Sequence, residues 1–322
     1  MAVKALLHYA LEVPDQGAGE KFYTSFGLVN ASGRGDAVRL RPAALQRESV
    51  LLYGGPRKRL HHLAFGAPGD EYEATRDAAR RAGVREVDGP RGAPDGGFWL
   101  RDPEGNLVNV RNEGRVLPPP DPPPALNSPG HIAREVRRGC PEAGRGASPR
   151  RLGHVLLFSG DLARQADFYT RVLGMKLSDR CQTIIMFLRC TTDHHNLALL
   201  TSKGPGFHHA SFEVGGVDEI AMGAQRMLEA GRPPGWGLGR HVIGSNFFYY
   251  VRDPWGSFAE YFHDLDYIPE QCAWEPRDFP EAEALYRWGP PVPEDFGLNR
   301  ELEGWAPADC WSPGSAGSSA AR

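Results

Sequence analysis

The chain has 322 residues and a formal net charge of −3 at pH 7, which is long enough for two domains and gives no overall field that would attract nucleic acid or a membrane surface. No apolar run approaches the roughly 20 residues of a membrane helix, and the start lacks the apolar core and cleavage site of a signal peptide. Five cysteines without a CxxC pair predict neither a disulfide framework nor a thiolate zinc site, and they favour a reducing cytoplasm.

Internal duplication is the strongest feature of the sequence. Three segments recur in the same order: EKFYTSFGL returns as ADFYTRVLGM, LHHLAF returns as FHHASF, and RDPEG returns as RDPWG. The spacing between the copies grows slowly along the chain, as small loop insertions would produce. Such a repeat predicts that one supersecondary unit is used more than once.

A proline-rich stretch separates the two copies. LPPPDPPPALNSPG is incompatible with a regular helix or a central strand and favours an extended spacer. We therefore predict an N-terminal domain at 1–115, a linker at 116–148, a catalytic domain at 149–270 and a tail at 271–322. In the tail, PEAEALYRWG predicts a short helix, and SPGSAGSSAAR predicts a disordered end. We expect the tail to cover part of the site.

The second copy shows the finer pattern. GHVLLFSG predicts a strand, DLARQADFYTRVLG a helix that ends at Gly174, and TIIMFLRC and NLALLTS two more strands. HHASFEV starts a second cycle, with the helix DEIAMGAQRMLEAG and the strands NFFYYVRD and GSFAEYF around an Asp-Pro-Trp-Gly turn. The pattern predicts an α+β fold of two domains, each with paired βαβββ modules, four modules in all, whose mixed sheets curl around a cleft.

Three residues in apolar strands of the second copy form a candidate metal site. They are His154, His209 and Glu260, and each has a marked position in the repeat. Two imidazoles and one carboxylate on one face leave open positions on a metal, which suits a non-haem Fe(II) that binds a substrate and O2. In the pair His208–His209, strand alternation turns only one side chain toward a given face, and the strand pattern does not say which.

The segment HVIGSNFFYYVRDPWGSFAE, from His241 to Glu260, carries a family resemblance. It contains a His, a Tyr, Asp-Pro-x-Gly and a Glu in the order found in type I extradiol dioxygenases of the vicinal oxygen chelate (glyoxalase–bleomycin resistance–dioxygenase) superfamily. Tyr249 departs from the pattern, because an aliphatic residue or Phe is usual there. The similarity covers nearly all of 1–270 in architecture and is strongest over 150–263.

A second element supports the resemblance. His195 is followed by NLALLTSKGPGFHH, which is similar to the family stretch between an active-site His and the second metal His. This spacing favours His209 over His208 as the ligand and His195 over His194 as the catalytic residue. The resemblance implies that His154 is the remaining imidazole ligand.

The family implies a reaction and a role for each matched residue. The reaction is extradiol cleavage of a catecholic substrate, with insertion of both atoms of O2, at a site of Fe(II) or less often Mn(II) held by the two His ligands and Glu260. His195 would be the acid–base residue on the O2 side, Tyr250 would hydrogen-bond the bound catecholate, and His241 would lie beside the substrate. Trp236 is expected to bind substrate, and it stands where relatives that take carboxylated catechols place an Arg, so it favours an uncharged diol.

The first copy lacks part of this set. His8 and His62 match the two His ligands, but Asn109 replaces the carboxylate, and Pro90 and Trp99 replace the His and Tyr of the signature. A neutral amide is a poor partner for a divalent ion in a site with two imidazoles. We therefore predict that the N-terminal copy holds no metal.

Three other functions share this fold. A glyoxalase-like isomerase needs more carboxylate or amide ligands, drawn from both paired modules, and Asn109 counts against it. A hydroxyphenylpyruvate-type dioxygenase shares the His-His-Glu site but is not expected to have His195 or the His241–Tyr250 pair. A bleomycin-resistance-like binding protein needs no metal. The choice depends on the site and not on the fold. We expect a cytoplasmic homo-oligomer without nucleic-acid or membrane partners.

Overall fold

The computed structural model of the chain describes residues 2–32, 36–122, 124–142 and 144–302. The predicted disordered end of the tail and Cys310 lie outside these ranges. Within them, no helix has the length and apolar character that crossing a membrane requires.

The N-terminal half forms a mixed sheet with two helices. Its described elements are β1 (Ala5–Val13), α1 (Gln16–Phe26), β2 (Val29–Asn30), β3 (Val38–Arg41), β4 (Val50–Gly54), β5 (Arg59–Gly66), α2 (Asp70–Arg81), β6 (Phe98–Arg101) and β7 (Leu107–Arg111). The order of the strands is β2-β3-β4-β1-β5-β7-β6. The described part of 116–148 contributes no helix or strand, apart from an isolated bridge between Ser128 and His131.

The C-terminal half forms a larger mixed sheet. Its described elements are β8 (Arg151–Ser159), α3 (Leu162–Arg171), β9 (Lys176–Cys181), β10 (Ile185–Arg189), β11 (Leu197–Thr201), β12 (Gly206–Glu213), α4 (Val217–Glu229), β13 (Pro234–His241), β14 (Phe247–Arg252) and β15 (Phe258–His263). The tail adds β16 (Arg277–Asp278), α5 (Glu281–Ala284) and β17 (Tyr286–Trp288). The order of the strands is β16-β9-β10-β11-β8-β12-β15-β14-β13-β17.

The two sheets repeat one topology. In each, the first strands of two modules lie antiparallel at the centre, β1 against β5 and β8 against β12. The predicted α+β class with mixed sheets is confirmed. One module is reduced, because the counterpart of β13 in the N-terminal half is only an isolated bridge between Val87 and Trp99. The sequence around it, VDGPRGAPDGG, explains the loss, since proline cannot donate to a ladder and glycine weakens a strand.

The tail shows how strongly the second sheet is curled. β16 pairs with β9 at one edge of the sheet and β17 pairs with β13 at the other. In a flat sheet with strands about 4.8 Å apart, these two edges would be about 43 Å apart. The chain from Asp278 to Tyr286 reaches about 29 Å when fully extended. The two edges must therefore curve toward each other, which creates the cleft.

The two Asp-Pro-x-Gly turns join the halves of the molecule. The carboxylate of Asp102 in the first turn accepts hydrogen bonds from Gln165 and, at 3.1 Å, from the Tyr169 hydroxyl, both on α3 of the other half. The second turn places Trp255 against Gly19 in α1 of the first half. One continuous cluster of buried apolar residues therefore runs through both halves.

Gly19→Ala is expected to lower the melting temperature. Alanine is about 1 kcal/mol better than glycine in a helix interior. However, a Cβ at this position would lie 2.7 Å from the Trp255 ring and 2.5 Å from Leu52 Cδ1, and overpacking a core costs about 1–3 kcal/mol. The matched control is Gly17→Ala in the same helix, where the site is exposed and the nearest atom is the Asp15 side-chain Oδ1 at 3.3 Å. Equal melting temperatures for the two variants would contradict this account of the turn.

Candidate metal centre

The register of the second sheet brings the three candidate ligands to one face. The strands β8, β12 and β15 are neighbours at the middle of the sheet. Ser211 on β12 pairs with His154 on one side and with Glu260 on the other, and paired residues point to the same face. His209 precedes Ser211 by two residues and shares that face.

The ligand atoms of the triad lie close together and are buried. Nε2 of His154 lies 3.1 Å from Glu260 Oε2 and 3.4 Å from His209 Nε2, and His209 Nε2 lies 3.4 Å from the same Oε2. Glu260 is fully buried. Among the described residues this is the one group of three or more His, Cys, Asp or Glu side chains that is close enough to hold an ion.

The surroundings of His209 determine which of its nitrogens is free. Nε2 of His208 lies 2.6 Å from the Phe296 carbonyl oxygen, which can only accept, so this nitrogen carries a proton. Nδ1 of a neutral His208 is then an acceptor, and His209 Nδ1, at 2.7 Å, donates to it. His209 Nε2 therefore turns a lone pair toward the carboxylate of Glu260. Two electron-rich atoms at 3.4 Å repel each other unless a cation lies between them.

The charge states of the triad also fit a cation. Burial raises the pKa of Glu260, but its hydrogen-bonded contact with His154 opposes burial, and the pKa lies below its usual range. Burial lowers the pKa of His209 although Glu260 opposes the effect. The group is thus an ionised carboxylate with a neutral imidazole at His209, and burial of such a charge requires a partner. Two imidazoles and a carboxylate suit a divalent transition metal.

A cavity of about 440 Å³ opens next to the triad. His154, His209, His195, His241 and Tyr250 contribute its polar wall. The opposite wall is largely apolar and comes from β8 to β11, the β13–β14 loop and the tail. Its residues are Leu156, Cys181, Ile184, Ile185, Phe187, Ala198, Leu200, Ile243, Ala284, Leu285, Tyr286, Val292 and Phe296.

His241 and Tyr250 form a hydrogen-bonded pair on this wall. The Leu285 carbonyl lies 2.7 Å from His241 Nδ1 and must accept its proton, so Nε2 of the neutral ring accepts from the Tyr250 hydroxyl at 2.9 Å. Tyr250 is the register partner of Glu260. Burial, followed by the nearby Glu260 charge, raises the pKa of Tyr250 well above 10, so the phenol keeps its proton.

His195 lies in the loop before β11 and lines the same cavity. Its ring centre is 4.2 Å from that of His154 and 5.0 Å from that of Phe187, and the His195 and Phe187 rings pack edge to face. Burial, followed by the neighbouring histidines, lowers the pKa of His195 well below 6.5. The ring is therefore neutral and able to accept a proton.

Trp236, which the sequence predicts to bind substrate, lies behind the cavity wall. It is not among the described residues that line the cavity. It lies opposite Tyr250 on β13, stacks on it with ring centres 5.5 Å apart, and donates its N–H to the Pro290 carbonyl at 2.9 Å. The strand register turns it toward the back of Tyr250, where it is fully packed and has no free face for a ligand.

Several contacts at the site were not predicted from the sequence. The Asn246 amide donates to Glu260 Oε1 at 3.2 Å and lines the cavity. The carbonyls of Leu285 and Phe296 orient two of the histidines. Asn246 lies inside the quoted signature segment, and the buried carboxylate could have pointed to it. A backbone carbonyl has no side-chain identity, so these two acceptors were not predictable, although the tail was expected to cover part of the site.

The N-terminal copy arranges its counterparts differently. His8 and His62 approach each other, with Nε2 atoms 3.0 Å apart. The Asn109 amide, however, donates to the carbonyls of Gly96 and Phe98 at 3.3 and 3.2 Å, so it serves the backbone of its own hairpin. Burial and nearby arginines lower the pKa of His8 to about 3. These contacts give Asn109 a structural use that Glu260 does not have.

Comparisons with known proteins agree with this site. Residues 151–261 match the Glyoxalase/Bleomycin resistance protein/Dioxygenase superfamily. The chain is 43% identical over 311 residues to Metapyrocatechase 2 of Cupriavidus necator, covering 93% of each protein. It is 25% identical to the Iron-dependent extradiol dioxygenase of Rhodococcus jostii (strain RHA1), covering 90% of this chain and 97% of that protein.

Among solved structures, the Mn(II)-bound glyoxalase from Novosphingobium aromaticivorans superposes with a TM-score of 0.73 and covers 93% of this chain and 99% of its own. At 23% identity this likeness shows the fold alone. The relative at 43% identity covers nearly the whole chain and carries the assignment. The chain therefore belongs to the Glyoxalase/Bleomycin resistance protein/Dioxygenase superfamily and, within it, to the extradiol ring-cleaving dioxygenases.

Proposed function

We propose that the chain cleaves a catecholic ring next to its diol and inserts both atoms of O2, with Fe(II) held by His154, His209 and Glu260. The observation that carries the proposal is the meeting of these three side chains beside a cavity that also contains His195, His241 and Tyr250. When bound, the divalent ion supplies Lewis acidity to the diol and holds both reactants in contact.

The residues of the cavity wall prepare the substrate. A catechol must lose a proton to become a good chelating ligand, and the neutral ring of His195 is placed to accept one. Rotation about its C–O bond lets the Tyr250 hydroxyl donate to His241 or to a substrate oxygen. Trp236, behind Tyr250, keeps that ring in position. The apolar wall excludes water and strengthens these interactions.

The cavity favours an uncharged diol with an apolar substituent. Among the described residues that line it there is no Lys or Arg to pair with a substrate carboxylate. Glu281 lies at its exposed side and repels anions. Side chains such as Ile184, Leu200 and Ile243 offer contacts to an alkyl or aryl group. A volume of about 440 Å³ accommodates a substituted single ring.

The two halves have separate roles in this proposal. The half within 149–270 is the catalytic domain, and the half within 1–115 supports it without a metal. The segment after residue 270 covers the cleft, in accord with its lining contacts at Leu285 and Phe296.

Metal analysis and oxygen uptake test the function. The protein is loaded anaerobically with Fe(II) or Mn(II), and O2 consumption is measured with catechol, alkylcatechols, arylcatechols and carboxylated catechols. We expect one metal ion per chain, a yellow ring-opened product with the uncharged diols, and a much higher KM for the carboxylated ones. Failure to bind either metal, or the absence of ring-opened product from every catechol, would overturn the proposal. Higher activity with Mn(II) would overturn only the choice of iron.

Tyr250→Phe is expected to raise KM for the preferred catechol about 10-fold or more, because a hydrogen bond to a charged group contributes about 1.5–3 kcal/mol. The substitution keeps the ring between Trp236 and His209, so metal content should not change. Steady-state kinetics and metal analysis of the same preparation check both parts. The control is Tyr249→Phe on the neighbouring position of β14, which does not line the cavity among the described residues. An unchanged KM in the Tyr250 variant would remove Tyr250 from substrate binding.

A further inference from the structure

On the side of His195 away from the cavity, two buried polar side chains, His194 and Asp179, form a chain of hydrogen bonds with its ring. His194 Nδ1 lies 3.0 Å from His195 Nδ1, and His194 Nε2 lies 2.8 Å from Asp179 Oδ2. Asp179 and His195 are each 4% exposed, and His194 is fully buried. The rings of Phe187 and Trp274 flank His194 with centres 5.9 Å away. The three side chains thus form a line from β9 to the cavity.

The direction of each hydrogen bond along this line follows from the carboxylate of Asp179, at the end away from the cavity. The other oxygen of Asp179, Oδ1, already accepts from the Arg277 backbone N–H at 2.7 Å. An ionised Oδ2 can only accept, so it takes the proton on His194 Nε2. In a neutral His194, Nδ1 is then an acceptor, and His195 Nδ1 must donate to it. The Nδ1 of His195 is used in this bond. Its Nε2 is therefore the nitrogen that is left to face the cavity, which His195 lines.

We propose that Asp179 and His194 are positioning residues that hold His195 in the tautomer whose unprotonated Nε2 faces the substrate. This inference rests on the proposed function, because it assigns the orientation of the proposed base. A carboxylate behind a histidine in this way fixes the tautomer and stabilises the imidazolium that forms during proton transfer. Here the carboxylate acts across a second imidazole.

The proton step is balanced within these groups. The O–H bond of one catechol hydroxyl breaks, its electron pair stays on the substrate oxygen, and a new N–H bond forms at His195 Nε2. The positive charge on His195 is then stabilised through its Nδ1–H bond to His194 and by the negative charge of Asp179. His194 and Asp179 do not touch the substrate in this step, and they act through His195.

Asp179→Asn tests the proposal with little change of shape. The amide oxygen still accepts from Arg277, but the amide nitrogen donates to His194 Nε2 and so reverses the direction of the line. His195 would then carry its proton on Nε2 and lose its function as a base. We expect kcat to fall about 100-fold or more, within the range that general-base catalysis contributes. Metal content should stay within about twofold of the wild type, since none of the candidate ligands changes.

A matched exchange is available on the neighbouring strand. Asp278 on β16 is exposed and pairs with Arg180 at 2.8 Å. Asp278→Asn makes the same chemical change next to the pairing of β16 with β9 and should leave kcat unchanged. His194→Phe is the second variant for the line, because it keeps an aromatic ring between Phe187 and Trp274 but cannot relay a hydrogen bond. It should lower kcat, but by less than Asp179→Asn, because it releases the His195 tautomer without reversing it.

A double-mutant cycle separates positioning from a general structural role. In the His195→Phe background the base is absent, so adding Asp179→Asn should leave the residual kcat unchanged. An Asp179 that only supports the fold would lower kcat by the same factor in both backgrounds. That result would overturn the inference, as would a wild-type kcat in Asp179→Asn.

Nitrogen NMR of the metal-free protein reads the tautomers without any catalysis. With histidines labelled by ¹⁵N, we expect the proton on Nε2 of His194 and on Nδ1 of His195, and the reverse of both in Asp179→Asn. A proton on His195 Nε2 in the wild type would overturn the inference. If the wild type fails to consume O2 with any catechol, the proposed function falls, while the tautomers still report on the hydrogen-bonded line itself.

Discussion

Glu260→Gln should leave the protein folded but nearly free of metal. Glu260 is the single negative charge in the triad, and the amide of Gln keeps its size but not its charge. Loss of an outer hydrogen-bond partner of a metal ligand already costs about 10–100-fold in metal affinity. We expect the loss of this ligand to exceed about 100-fold, with no measurable ring cleavage at micromolar Fe(II). Metal content after dialysis, metal titration and O2 uptake check the result.

The duplicated fold supplies the control for this prediction. Asn109→Ala removes the side chain at the same position of the repeat in the N-terminal half. It cuts hydrogen bonds to Gly96 and Phe98 and should lower the melting temperature. It should not change the metal content of the chain. If Asn109→Ala lost metal as readily as Glu260→Gln, the metal would not belong to the C-terminal half alone.

His195→Phe should have the opposite profile, with full metal content and slow turnover. The phenyl ring keeps the packing against His154 and Phe187 but cannot accept a proton. General acid–base catalysis contributes about 10²–10⁴-fold, so we expect kcat to fall by that factor. His263→Phe is the matched control. His263 is the last residue of β15, its Nδ1 bonds to the Val214 carbonyl, and it does not line the cavity.

Stopped-flow measurements under single-turnover conditions separate substrate binding from ring opening in the His195 variant. Anaerobic binding of catechol should remain but become slower, because the proton of the diol has lost its acceptor, and the later oxygen-dependent phase should slow as well. Loss of metal from His195→Phe would contradict its assignment as a proton-transfer residue and would make it part of the metal site.

The sequence could predict that the three candidate ligands meet, because each lies in a strand whose place in the repeat is marked. His154, His209 and Glu260 could be related to one another without knowing the sheet order. Their geometry depends on the register that pairs Ser211 of β12 with His154 on β8 and with Glu260 on β15, and no residue pattern reveals this register. The register also explains the placement of Trp236. Glu260 pairs with Tyr250 on β14, and Tyr250 pairs with Trp236 on β13, so Tyr250 lies between Trp236 and the candidate ligands.

The strands that are hardest to predict from the sequence are those without a regular apolar pattern. β9 reads KLSDRC, is mostly polar, and is held by ladders to β10 and β16. β13 reads PGWGLGRH and contains three glycines, so its strand depends on its pairing with β14 and β17. Both strands are ordered by their neighbours more than by their own residues. Asp179 and His241 lie on these two strands, so their contacts could be found only from the structure.

The part played by the tail sets the moment at which the enzyme can become active during its synthesis. A ribosome makes the chain from the N-terminus, and domains fold as they emerge. All three candidate ligands precede residue 261, but the carbonyls of Leu285 and Phe296, which accept from His241 and His208, come later, and His209 is oriented only through His208. A nascent chain that already has its ligands therefore lacks the acceptors that point those rings correctly. A chain that ends before Phe296 would lack both acceptors, so we expect it to hold a divalent metal more weakly than the chain that includes them.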